Sequence, residues 1–172
     1  YQPTLKPSKT YEVIFSEGRA EFRRRDHEIE THAEIVVSPE DDIELRRIRL
    51  TNCSGTTRTI DLTSYAEVVL ALPAADALHP AFSNLFVQTE IIRERQAILS
   101  TRRGRSQDEH APWAFHLMAV RGPHSGEISY ETDRLQFIGR GRTLAAPQAL
   151  DHSGPLSGSQ GSVLDPIVST RC

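Results

Sequence analysis

From Ile29 to Val37 the residues alternate one by one: Ile29, Thr31, Ala33, Ile35 and Val37 fall on one face of an extended chain, and Glu30, His32 and Glu34 on the other. A helix would spread these residues around its circumference. Period-two alternation therefore specifies a half-buried strand.

The same pattern recurs along the chain. Thr10 to Ser16 and Arg19 to Arg25 flank Glu17-Gly18, whose glycine supplies the positive φ of a tight hairpin turn. After a turn at Ser38-Pro39-Glu40-Asp41, the run Asp42 to Asn52 carries Ile43 and Leu45 in one phase and Ile48 and Leu50 in the other. A β-bulge near Arg46-Arg47 is expected, because one extra residue keeps both apolar pairs on the core face. Thr57 to Leu70 reads as an unusually long strand with Ile60, Leu62, Ala66, Val68 and Leu70 on one face. Further runs follow at Phe82 to Ile92, Ala97 to Arg103, Trp113 to Val120 and Glu127 to Glu131, and a short helical period shows only around Asp133 to Phe137. The expected class is all-β, and strands of this length favour a large antiparallel β-sandwich over a small barrel.

With 172 residues the chain can bury one sizeable core, so residues 1–172 read as a single β-sandwich domain fragment. Residues 143–162 run through Ala145-Ala146-Pro147, His152-Ser153-Gly154-Pro155 and Leu156 to Ser162 and offer few core anchors. They are expected to form a Gly/Ser/Pro-rich surface excursion, ending where Val163 to Val168 resumes an apolar run. The chain opens on Tyr1 and has its single Met at 118, which reads as a piece of a longer polypeptide and an incomplete sandwich.

Lys and Arg total 20 against 23 for Asp and Glu, so a net charge of −3 gives no pull toward nucleic acid or anionic lipid. No apolar run reaches about 18 residues and the N-terminus lacks a signal-peptide pattern, so no direct membrane contact is expected. Cys53 and Cys172 stand in no CxxC or Cys/His spacing, which fits a reducing compartment and no metal. His27 and His32 are five apart and lie on opposite faces of a regular strand. The chain has no GxSxG, GxxxxGK[ST] or HExxH, and no GxGxxG between a strand and a helix, so no catalytic residue is assigned.

The candidate site is the stretch Asp133 to Arg142, a Gly-punctuated, arginine-rich loop after a strand-like run. Arginine forks donate paired hydrogen bonds, and glycines permit close approach. Arg142, Arg134 and Arg140 are the candidates there. Arg134 either contacts ligand or ties the loop to an acidic residue of its own sandwich. His79, held extended by Pro80, is a further candidate on a loop between two strands, and His116 another ligand-touching imidazole. Trp113 and Tyr65 are candidates for stacking on a sugar ring, although core packing is the commoner use of a strand aromatic. The other arginine clusters, Arg23-Arg24-Arg25, Arg46-Arg47-Arg49, Arg93/Arg95 and Arg102-Arg103-Arg105, read as salt-bridged outer sheet faces.

The segments Phe22-Arg23-Arg24-Arg25-Asp26, Ile29-Glu30-Thr31-His32, Leu62 to Leu70, Ala75-Asp76, His79 to Ser83, Leu85-Phe86-Val87, Thr132-Asp133-Arg134, Phe137 to Leu144 and Val163 to Ile167 together resemble one bacterial family. It is the glycosyltransferase family 36 group, classed with the inverting glycoside phosphorylases of glycoside hydrolase family 94. The resemblance spans nearly the whole chain and is strongest to the C-terminal part of the cyclic β-1,2-glucan synthases. It implies a β-super-sandwich that precedes a helical (α/α)6 barrel carrying the catalytic acid, and no barrel sequence is present here. The fragment is therefore expected to be inactive, with inorganic phosphate a co-substrate of the parent enzyme and no cofactor of its own. Implied partners are the barrel of the same polypeptide, β-glucan oligosaccharides and a second copy in a homodimer. The implied location is a cytoplasmic segment of an inner-membrane or cytosolic parent. The implied role is to support assembly and lend loop residues, Arg142 first and Arg134 second, to the sugar site. A free-standing carbohydrate-binding module and a purely structural dimerisation domain are the alternatives.

Overall fold

In the computed structural model, which describes residues 3–104, 106 and 110–172, the alternation from Ile29 to Val37 becomes the third strand of an antiparallel meander. Chain packing separates two units, residues 1–60 and 61–172.

The first unit holds β1 (Thr10–Ser16), β2 (Arg19–Asp26), β3 (Ile29–Val37) and β4 (Glu44–Asn52), hydrogen-bonded in that order. Gly18 takes φ 70° between β1 and β2, as the sequence required. The next corner, His27-Glu28, takes φ 46° and 65° without a glycine. Two left-handed residues are what a type I′ hairpin turn needs. Cys53 N donates to Glu28 O (2.8 Å), and Arg58 reaches His27 O, so outside donors hold this corner.

The expected bulge at Arg46-Arg47 is absent: β3 and β4 pair without a break from Ile29↔Asn52 to Val37↔Glu44. β4 is exposed along its whole length, with Leu45 at 59 %. A strand that buries neither face gains nothing by shifting register to align its apolar pairs.

The second unit contains two three-stranded antiparallel sheets. One orders β5 (Ala66–Glu67), β10 (Pro166–Arg171) and β9 (Ser129–Asp133); the other orders β6 (Val87–Ile92), β7 (Ala97–Arg102) and β8 (Trp113–Leu117). Val87 and Ile98 of one sheet and Tyr130 and Val168 of the other form one core with Val68 and Ile128, which flank β5 and β9, and this makes the unit an all-β sandwich. Val87, Ile98 and Ile167 are fully buried, each worth about 1.5–3 kcal/mol over exposure. β10 is buried at every residue, as the central strand of its sheet must be. A register shift does occur here, between Pro166 and Ser169.

Two strand expectations fail. The long strand Thr57 to Leu70 shrinks to β5, with isolated pairing at Thr63↔Arg171 and hydrogen bonds from Leu62, Ser64 and Val68 to β10 and Cys172. Its alternation reflects extended chain lying irregularly against a bulged neighbour, and Leu70 at φ 46° ends it. The run Phe82 to Ile92 is strand only from Val87. Pro73 and Pro80 open two short helices, α1 (Pro73–Leu78) and α2 (Pro80–Asn84), so His79 joins two helices and not two strands. Proline's fixed φ and missing N–H suit the first helical position, which outweighs a weak alternation.

Candidate functional site

The loop after β9 is built from its cap outward. Asp133 Oδ1 accepts from Leu135 N (2.8 Å) and opens α3 (Arg134–Ile138). Phe137 and Ile138 root this helix against Ile167, with Tyr65, Ala149 and Leu156 around them, and the Tyr65 and Phe137 rings lie 4.9 Å apart. Gly139 ends the helix at φ 89°, ψ 154°, a region open essentially to glycine alone. Gly141 (φ 72°) completes the turn and delivers Arg142, whose N donates to Gly139 O (3.3 Å).

Arg134 sits in a cleft of about 350 Å³ lined by Glu67, Pro80, Ala81, Asn84, Leu164 and Asp165. Its Nε donates to Glu67 Oε1 (3.1 Å), and its Nη1 lies 3.6 Å from Asp165 Oδ2. Asn84 Nδ2 donates to Asp165 Oδ1 (3.0 Å) and Tyr65 Oη to Glu67 Oε1 (2.9 Å). Burial pushes the Asp165 carboxyl above its ordinary value, against the pull of Arg134. Burial first, with the bond to Glu67 adding to it, raises the Tyr65 phenol and keeps it a donor. The cleft thus offers a guanidinium, two carboxylates and a carboxamide beside apolar walls, with the Tyr65 phenol bonded to Glu67 behind them. Donors and acceptors mixed in this way suit hydroxyl-rich ligands.

The structure partners Arg134 with two acidic residues, the structural alternative raised by the sequence, while leaving its side chain 37 % accessible. Arg142 Nη1 lies 2.5 Å from Asp151 Oδ2. Arg140 is exposed at the loop tip and makes no ion pair among the described residues. His79 is exposed and precedes Pro80 of the cleft wall. Trp113 lies on β8, 64 % exposed, on the same face as Phe115 (62 %) and Leu117 (52 %). Core packing is therefore not its use within this unit. His116 points the other way, its Nε2 2.8 Å from Ser64 Oγ and 3.4 Å from Thr170 Oγ1. Ser64 Oγ also accepts from Thr170 N (3.0 Å), so this hydroxyl belongs to the β10 ladder. Glu67, Asn84, Asp165 and Asp151 were not foreseen as site residues. Glu67 and Asn84 lie 50 or more residues before Arg134 and carry no local signal; tertiary packing alone brings them to the loop.

Most of the arginine clusters in the first unit are ion-paired. Glu21, 6 % exposed, meets Arg19 (2.8 Å), Arg23 (3.4 Å) and His32 (2.9 Å). Glu34 meets Arg47 (2.5 Å) and Arg19 (3.6 Å). The His32 hydrogen bond first, then Arg19 and Arg23, hold the Glu21 carboxyl below its ordinary value against desolvation; Arg47 does the same for Glu34. Glu21, His32 and Glu34 have metal-ligand types within 4.8 Å of one another. Three guanidiniums, of Arg19, Arg23 and Arg47, already contact these carboxylates and join them in a charge network. Among the described residues no helix is long and apolar enough to cross a membrane.

Residues 61–172 thus form an all-β sandwich that displays an arginine-bearing loop beside a polar cleft. The family described as "Glycosyl hydrolase 94, supersandwich domain" matches residues 1–172, and the chain belongs to it. It is 39 % identical over 170 residues to the cyclic beta-(1,2)-glucan synthase NdvB of Rhizobium meliloti (strain 1021). That match covers 99 % of this chain and 6 % of the relative, so the domain corresponds to a small part of a much longer protein.

Proposed function

We propose that this domain is a non-catalytic support of a larger enzyme that makes or phosphorolytically trims β-linked glucans, lending the Arg134 to Arg142 loop to a sugar site completed elsewhere in the polypeptide. The observation that carries the reading is the cleft of Arg134, Glu67, Asn84 and Asp165 at the root of that loop. Arg134 presents its fork beside two carboxylates, and Arg140 and Arg142 follow on the same loop, both exposed. Chemistry belongs to a helical barrel in the same polypeptide, with inorganic phosphate as co-substrate and a cytoplasmic location. The relative's printed activity, cyclic β-1,2-glucan synthesis, makes β-1,2-glucan the first substrate to try. The test is Arg134→Ala and Arg142→Ala in the full polypeptide, read by β-1,2-gluco-oligosaccharide affinity and turnover. Loss of roughly 10-fold or more in affinity is expected for a charged hydrogen-bond donor. Unchanged affinity and turnover in both variants would sink the reading.

A second reading, direct glucan binding by the domain itself, is favoured by Trp113 and Phe115, exposed on one face of β8. Aromatic faces two apart along a strand offer a stacking platform. Titrating the 172-residue chain with β-1,2-gluco-oligosaccharides, with cello-oligosaccharides as control, tests it. Saturable binding abolished by Trp113→Ala supports this reading, and absence of binding by the folded chain removes it.

A further inference from the structure

Arg171, on the central strand β10, is 6 % exposed and has no ion-pair partner among the described residues. Its guanidinium is spent on oxygens from two places. Nε donates to Thr63 Oγ1 (2.8 Å), Nη1 to Gly154 O (2.9 Å) and His152 O (3.3 Å), and Nη2 to Ala149 O. Three of those acceptors are main-chain carbonyls of residues 149–154. A buried cation costs stability unless its donors are satisfied, and the planar fork of arginine, with five N–H donors in fixed geometry, spans carbonyls that a compact ammonium does not reach together.

Residues 148–151 in turn hold the loop. Asp151 Oδ2 grips Arg142 Nη1 at 2.5 Å. Gln148 packs on Gly139 so tightly that a Cβ there would lie 2.9 Å from Gln148 Cβ. Glu131 clamps the following stretch: its Oε1 accepts from Thr132 N and Asp133 N, both 2.9 Å, and its Oε2 from Ser157 Oγ. Gly158 N donates to Tyr130 O (2.8 Å). The Gly/Ser/Pro-rich excursion is therefore fastened to the sheet from beneath by two buried charged side chains.

We infer that Arg171 is a positioning residue for the Arg142 loop: it fixes the carbonyls of residues 149–154, and Asp151 and Gln148 pass that placement to Gly139 and Arg142. The inference rests on the proposed sugar role of the loop only for what the placement is used for. Amide hydrogen exchange by mass spectrometry on the intact polypeptide tests the placement itself. Arg171→Lys keeps the charge and loses the fork, and it is expected to speed exchange ~10-fold in both 149–154 and 139–142. Asp151→Asn is expected to speed it in 139–142 alone. Faster exchange confined to 149–154 in Arg171→Lys, or no change in 139–142 in either variant, overturns the inference. If Arg171→Lys does not fold, Thr63→Val, which removes one acceptor isosterically, is expected to loosen both stretches more weakly. A change restricted to the Thr63 strand would then overturn it.

A role in pure stability is separated by affinity. Arg171→Lys is expected to weaken β-1,2-gluco-oligosaccharide binding in the wild-type background and to have no further effect in Arg142→Ala. A loss that persists in Arg142→Ala overturns the route through Arg142. If Arg142→Ala alone leaves affinity unchanged, the sugar reading of the loop fails, and the exchange data still decide the placement.

Discussion

Arg134, the first residue of α3, donates from Nε to Glu67 Oε1 of β5 at 3.1 Å, joining the loop to a strand 67 residues earlier in the chain. Asp165 lies on the other side of the guanidinium and is the least comfortable member of the group, since burial raises its pKa. A carboxyl raised on folding makes the native state bind more protons than the unfolded state, so stability falls as pH rises through the shifted value. Asp165→Asn should remove that slope. Urea midpoints of variant and wild type are expected to differ little near pH 4 and to diverge in favour of the variant by pH 7. A variant that is less stable at pH 7 would show that the pair with Arg134 outweighs desolvation.

Gly139 and Gly141 both have positive φ, but their surroundings differ. A Cβ at Gly139 meets Gln148, whereas one at Gly141 meets open space. Gly139→Ala is expected to cost about 2–4 kcal/mol, combining backbone strain with a clash, and Gly141→Ala only about 1 kcal/mol. Denaturant unfolding of the two variants gives the comparison, and equal costs would mean that Gln148 moves aside freely.

The Glu21 and Glu34 carboxyls titrate below their ordinary value, so their contribution to the first unit is present above about pH 4.3 and is lost as pH falls through the lowered values. Amide protection of β2 and β3 should hold from pH 7 down to about pH 5 and decline below about pH 4. Glu34→Gln is expected to show a shallower decline. A decline already complete by about pH 5 would place the sensitivity in some other group.

Arg142 and Asp151 are 41 % and 39 % accessible at the side chain, so their ion pair is expected to contribute little to global stability. Asp151→Ala should shift unfolding by less than about 1 kcal/mol. A loss of several kcal/mol would indicate a structural role for the pair beyond local placement.

The hairpin strands of the first unit were legible in the sequence because single alternation and a Gly-bearing turn are local signals, and β1, β2 and β3 follow them closely. So was α3, from the short helical period around Asp133 to Phe137. The unbroken register of β4 was not: its two apolar phases suggest a bulge only where one face packs on a core, and β4 buries neither. The segment from Thr57 to Leu70 shows the same limit: alternation reports extended chain, but a ladder also needs a regular partner, and β10 is bulged. At the site, the sequence picked out Arg134 and Arg142 without their partners Glu67, Asp165 and Asp151.

By itself, then, the sequence determined the all-β class, the Glu17-Gly18 hairpin corner and the arginine loop, because each depends on backbone preferences within a few residues. Tertiary structure alone decided that Arg171 is buried under the carbonyls of residues 149–154, that Trp113 faces outward, and that Glu21 and Glu34 share three guanidiniums. These contacts join residues from different strands and loops. The free energy of a buried or paired charge is set by which distant groups surround it, and no local pattern records that.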